Sequence, residues 1–123
     1  MRLPRKHSMT HRDEFTRVRT TGQAKAGRFV VLSTLADPSL DGIRTGFITT
    51  KKSGKAHDRV RLRRIFRSLI RDHAADFTDL RRYLVTIARH GASTATFAEL
   101  EADWLKQAKR LGLFAPSPRP ADG

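Results

Sequence analysis

Between residues 59 and 73, apolar side chains recur at Leu62, Ile65, Phe66, Leu69 and Ile70. This i, i+3, i+4, i+7, i+8 spacing marks one face of a helix, so it predicts a helix from 59 to about 73. Residues 96–111 predict a last helix, with Phe97, Leu100, Trp104 and Leu111 turned inward. A shorter helix is predicted from Thr10 to about Thr20, with Phe15 and Val18 on one face. Thr10 followed by Asp13 and Glu14 resembles a helix start, and Gly22 suits a C-cap. Residues 29–35, 43–50 and 83–88 are rich in β-branched and apolar residues and predict strands. Asp37, Pro38, Ser39, Asp41 and Gly42 are turn formers, so the first two strands are expected to pair antiparallel. Residues 52–58 form a polar loop around Gly54. The order is α-β-β-α-β-α, with room for an extra short strand near the hairpin. The fold class expected is α+β, a small single-domain sandwich.

A chain of 123 residues suits one domain, and 38% hydrophobic residues supply a modest core. Residues 1–9 are basic and aperiodic and are expected to form an arm, residues 10–114 the domain, and residues 115–123, with three prolines, a disordered tail. Charge alters the picture more than length does. Lys and Arg number 25 against 12 Asp and Glu, a formal net charge of +13. That excess destabilises a compact chain unless a polyanion neutralises it, and nucleic acid is the commonest such partner. Cysteine is absent, which excludes disulfides, thiolate chemistry and cysteine-based zinc sites. No apolar run follows the basic N-terminus and none approaches a membrane span, so cytoplasmic residence is the default expectation.

The positive charge is concentrated. Residues 51–71 contain Lys51, Lys52, Lys55, Arg59, Arg61, Arg63, Arg64, Arg67 and Arg71, with Asp58 the one acid among them. On a helical wheel Arg63, Arg64, Arg67 and Arg71 share the side opposite the apolar stripe, and Arg61 lies on the other flank. An ordinary solvated helix face mixes signs at i,i+4. Here Arg59–Arg63, Arg63–Arg67 and Arg67–Arg71 repel at that spacing, an arrangement that suits bound phosphates. Arginine also outnumbers lysine, which favours bidentate phosphate contacts and stacking on bases.

Other chemistry is weakly supported. Ser53-Gly54-Lys55-Ala56 resembles the end of a phosphate-binding P-loop, but Thr49 replaces its first glycine and Ala56 its Mg²⁺-binding hydroxyl. His7, His11, His57, His73 and His90 lack metal-ligand spacing. His73 is expected at the edge of the core. Asp72, Asp76 and Asp79 are unaccompanied by a nucleophile or base, and Trp104 is expected in the core. No protein-borne catalytic residue and no metal site is expected.

Residues 51–67, Lys51-Lys52-Ser53-Gly54-Lys55-Ala56-His57-Asp58-Arg59-Val60-Arg61-Leu62-Arg63-Arg64-Ile65-Phe66-Arg67, resemble the signature of the bacterial ribonuclease P protein component. Arg44-x-Gly46 opens a strand before it, Phe15-x-x-Val18 and Gly22 match the first helix, and Ile87-Ala88-Arg89 and Phe97-x-x-Leu100 follow in order. The resemblance covers about residues 5–112. It implies a left-handed βαβ crossover, an exception to the usual right-handed rule. It also implies an endoribonuclease subunit whose partner RNA performs Mg²⁺-dependent hydrolysis of precursor tRNA, freeing the 5′ leader. The protein would be a monomer in a 1:1 ribonucleoprotein. By position, Arg59, Arg61, Arg63, Arg64 and Arg67 would face the RNA, and Phe15, Arg19, Ser33, Arg63 and Arg67 would serve a leader cleft between the first helix and the sheet. Val60 departs from the motif's Asn, and Arg19 and Ser33 stand where aromatics are frequent. The groove is therefore expected to depend more on charge and less on stacking.

Two alternatives remain from the residues alone. A ribosomal or ribosome-assembly protein would explain the charge, size and fold class equally well. A nuclease with its own active site lacks a paired carboxylate, metal or histidine constellation.

Overall fold

The structure, a computed structural model, describes Met9 and residues 12–114. The expected arm at 1–8, the cap at Thr10 and the tail at 115–123 lie outside the described residues, as does the side chain of Lys51. Three helices and four strands follow in the order α1 (Arg12–Thr21), β1 (Gln23–Ala26), β2 (Val30–Ala36), β3 (Arg44–Ile48), α2 (Ala56–His73), β4 (Arg82–Ala88) and α3 (Phe97–Arg110).

The sheet order is β1-β2-β4-β3. β2 and β3 therefore do not form the expected hairpin. β4 lies between them, antiparallel to β2 and parallel to β3. The reason lies in burial. β4 has neighbours on both sides, and Tyr83, Leu84, Val85, Thr86 and Ala88 are all buried. The extra strand is β1, paired with β2 and outside the β2–β3 connection.

Alternation along the strands gives the sheet two covered faces. On one face Val30, Leu32, Leu84 and Ala88 meet Leu62, Phe66, Leu69 and Ile70 of α2 and Leu100, Trp104 and Ala108 of α3. Trp104 Nε1 donates to Thr86 Oγ1 at 3.3 Å, which satisfies its N–H inside the core. On the other face Tyr83 and Val85 meet Val18, with Phe15, Leu35, Ile48 and Ile87 packed around them.

Local signals explain most helix ends. Thr96 caps α3, accepting from Glu99 N at 3.1 Å, while Glu99 accepts from Thr96 N at 2.9 Å. Phe97, expected inward, is 42% exposed because it sits in the first turn, before α3 reaches the sheet. α2 begins at Ala56, earlier than the apolar stripe indicates. Asp58 Oδ2 accepts from Lys55 N at 3.0 Å and fastens that first turn. Gly22 ends α1, though not in a left-handed conformation. A Cβ there would collide with the carbonyl oxygens of Thr34 and Val18, so close approach requires the glycine.

Candidate nucleic-acid interface

The apolar stripe of α2 is buried as its spacing predicts, so the arginines take the remaining surface. Arg64 is exposed and has no partner among the described residues. Arg63 Nη1 donates to Thr49 Oγ1 at 2.8 Å, and the Arg67 guanidinium lies 5.3 Å from the centroid of the Phe47 ring. Arg61 reaches the carbonyls of Ser93 at 3.5 Å and Ala95 at 3.1 Å, binding α2 to the turn before α3. Arg71 is within 3.8 Å of Asp72. Arg59 Nε is buried without a partner among the described residues. Leaving a buried donor unmade costs about 1–3 kcal/mol, which an incoming acceptor can recover. Lys52, Lys55 and Val60 are exposed beside this face.

A cleft of about 480 Å³ lies between α1 and the sheet. That is within the usual range of ligand pockets. Phe15, Val18, Ala24, Val31, Ile48, Val85 and Ile87 make it mainly apolar, and Arg12, Thr16, Arg19 and Ser33 complete the lining. Ser33 is 7% exposed, and its hydroxyl makes no hydrogen bond among the described residues. Arg12 and Arg19 are exposed and have no carboxylate partner among the described residues. Phe15 rests over Gly46, where an added Cβ would come within 2.5 Å of Phe15 Cε1 and 2.7 Å of its Cζ.

Phe15, Arg19 and Ser33 are thus brought together in one lining. Arg63 and Arg67 are not in this lining. They belong to α2, which covers the opposite face, and they border the β3 edge through Thr49 and Phe47. The cleft residues Arg12, Thr16, Ala24, Val31, Ile48, Val85 and Ile87 were not anticipated; the alternation of Val31 with Ser33 and of Val85 with Ile87 would have found those strand residues, but not Arg12 and Thr16 of α1.

Two arginines in or beside α1 are paired with carboxylates. Arg17 contacts Asp37 at 2.8 Å and Arg44 contacts Glu14 at 2.7 Å. Hydrogen bonds from Ser39, then the bond from Arg17, hold the Asp37 carboxyl below its ordinary range. His73, half-buried as expected, lies 3.0 Å from Glu101 and stacks on Trp104. Among the described residues no group of three or more His, Cys, Asp or Glu could hold a metal ion.

The ribonuclease P family model matches residues 3–112. The chain belongs to the ribonuclease P protein family. The ribonuclease P protein component of Syntrophomonas wolfei is 33% identical over 102 residues, covering 83% of this chain and 84% of its own. That of Dehalococcoides mccartyi is 38% identical over 100 residues, covering 78% of each. The RNase P protein of Staphylococcus aureus superposes with a TM-score of 0.81 at 24% identity, over 89% of this chain and 98% of that one. The Thermotoga maritima protein gives 0.70 at 24% identity over 89% and 96%. Both structures share the fold. Membership makes this chain a subunit of the ribonuclease P endoribonuclease, with the ribonuclease P RNA and precursor tRNA as partners. The holoenzyme removes the 5′ leader, and the RNA subunit carries the chemistry.

Proposed function

We propose that α2 and the loop before it dock on the catalytic RNA, and that the α1–sheet cleft holds the single-stranded leader. The observation that carries the first half is the α2 surface. Arg59 and Arg64 lack partners among the described residues, and Arg63 and Arg67 bond only to a hydroxyl or a ring. Arg61, Lys51, Lys52, Lys55 and Arg71 belong to the same proposed surface. Such cations gain affinity by releasing counterions from phosphates.

The cleft supports the second half. Its apolar walls and the Phe15 ring suit a splayed base, Ser33 offers one hydrogen-bonding group, and Arg12 and Arg19 suit flanking phosphates. The protein thereby orients the leader near the scissile bond, while hydrolysis uses Mg²⁺ held by the RNA. The reading includes a cytoplasmic complex with one protein copy per RNA. Among the described residues no helix is long and apolar enough to cross a membrane.

Phe15→Ala tests the cleft. Affinity of the holoenzyme for precursor tRNA should fall by about 1–3 kcal/mol, while affinity for mature tRNA is unchanged. Equal losses for both would leave Phe15 a packing residue only.

A further inference from the structure

The two ends of the sheet treat arginine differently. At the end where β2 finishes and β3 and β4 begin, three arginines meet carboxylates, Arg17 with Asp37, Arg44 with Glu14, and Arg81 with Asp79 at 3.6 Å, while Arg82 donates to the Asp79 carbonyl and to Thr34 Oγ1. At the other end, where the β1–β2 turn lies and β4 finishes, they meet backbone carbonyls. Arg89 Nη1 donates to Gly27 O at 2.6 Å, and Arg110 Nη1 to Ala26 O at 3.4 Å and Gln107 Oε1 at 2.7 Å. The acids here are spent on amides. Asp103 Oδ2 accepts from Phe29 N at 2.8 Å and Val30 N at 3.0 Å. Glu99, which Arg28 faces, accepts from Thr96 N.

Five cations, Arg28, Arg89, Lys106, Lys109 and Arg110, thus stand against two carboxylates, Asp103 and Glu99, and none of them forms an ion pair among the described residues, so positive charge remains in excess. A carbonyl occupies one or two of a guanidinium's five N–H donors and removes none of its charge. It also restrains the side chain before any ligand arrives, which reduces the ordering cost of binding. Lys106 and Lys109 extend the surface at i,i+3 and i,i+4 from one another and Arg110, and both are exposed.

We propose that Arg28, Arg89, Arg110, Lys106 and Lys109 form a second phosphate-binding surface, continuous with α2 through Arg61, that takes the backbone of a base-paired RNA segment. Arg61 supplies the continuity because it binds α2 to the turn that follows Arg89. Backbone rather than unpaired bases is indicated because the one large exposed aromatic of α3, Phe97, lies on the helix's inward-looking side, with Leu100 and Trp104, and away from Lys106, Lys109 and Arg110. Phe29 is half-buried beneath Arg28, at 5.0 Å from its centroid. Paired RNA is recognised through phosphates and shape, whereas single strands call for stacking platforms. This surface is separate from the leader cleft and does not depend on it.

The test uses the full chain in two variants, Lys106→Gln with Lys109→Gln, and Arg89→Gln with Arg110→Gln. The first pair removes charge from side chains that make no bonds to the turn, so it serves if the second unfolds. Affinity for ribonuclease P RNA is measured across salt, and affinity of the assembled complex for precursor tRNA likewise. Each variant should lower the salt slope by about one to two units, at about 0.9 per phosphate. A drop with the RNA alone assigns the segment to the catalytic RNA, and a drop confined to precursor tRNA assigns it to the substrate. Unchanged slopes in both assays for the folded Lys106/Lys109 variant would overturn the proposal. Arg64→Ala in the same assays tests α2 independently, so either reading can fail without the other.

Discussion

Gly46→Ala should damage the cleft without touching a charge. The new Cβ would lie 2.5 and 2.7 Å from Phe15 ring atoms and 3.1 Å from Met9 Sδ. Real Cβ contacts are not that short, so the ring must move off the sheet into the cleft. Overpacking of this kind costs about 1–3 kcal/mol. Loss of glycine's freedom in the unfolded chain returns about 0.4–1 kcal/mol. With the midpoint of each range, the net destabilisation should be about 1.3 kcal/mol, or roughly 5–10 °C in melting temperature for a domain of this size. If Phe15 stacks on a leader base, its displacement should also weaken precursor tRNA relative to mature tRNA by about 1–3 kcal/mol. Thermal unfolding and competition binding to the reconstituted holoenzyme read the two effects separately. Adding Phe15→Leu should restore stability but not leader discrimination. A Gly46→Ala protein with unchanged melting and unchanged discrimination would refute the contact and the stacking role together.

Arg64→Ala should lower the salt slope for ribonuclease P RNA by about one unit, and an unchanged slope would remove Arg64 from the interface. Val60 is 40% exposed on the same side of α2, so Val60→Asn should be tolerated or should tighten RNA binding. A tenfold loss of affinity would contradict that. Asp37 titrates below its ordinary value of 3.8 in the folded protein. Its stabilising contribution is therefore present above that value and is lost as pH falls through the folded pKa. Between pH 5 and pH 3 the wild type should lose more stability than Asp37→Asn in chemical unfolding, and equal losses would deny the Ser39 and Arg17 contacts this role.

The parts of the fold that rest on local pattern were legible. The α2 stripe needed only spacing, and the Thr96–Glu99 cap begins a helix by side-chain chemistry alone. Strand order was not legible, because the insertion of β4 between β2 and β3 joins segments far apart in sequence. Gln-Ala-Lys-Ala of β1 has no β-branched residue, and its pairing with residues 31–34 is what makes it a strand. Phe97 belongs to an inward-looking period but lies one turn too early to be covered. In the site, Phe15, Arg19 and Ser33 followed from the family resemblance. A wheel separates Arg63 and Arg67 from the apolar stripe, yet it does not tell which face of the sheet α2 covers. The orphaned Nε of Arg59 and the carbonyl bonds of Arg61 depend on tertiary packing and left no sequence signal.

The central claim is that this chain makes a ribonuclease P RNA cleave precursor tRNA at the mature 5′ end. Cleavage should be measured at low Mg²⁺ with the RNA alone, the protein alone and both together. The account predicts correct 5′ maturation by the combination and none by either component. Binding of the cognate RNA without any stimulation of cleavage would contradict it.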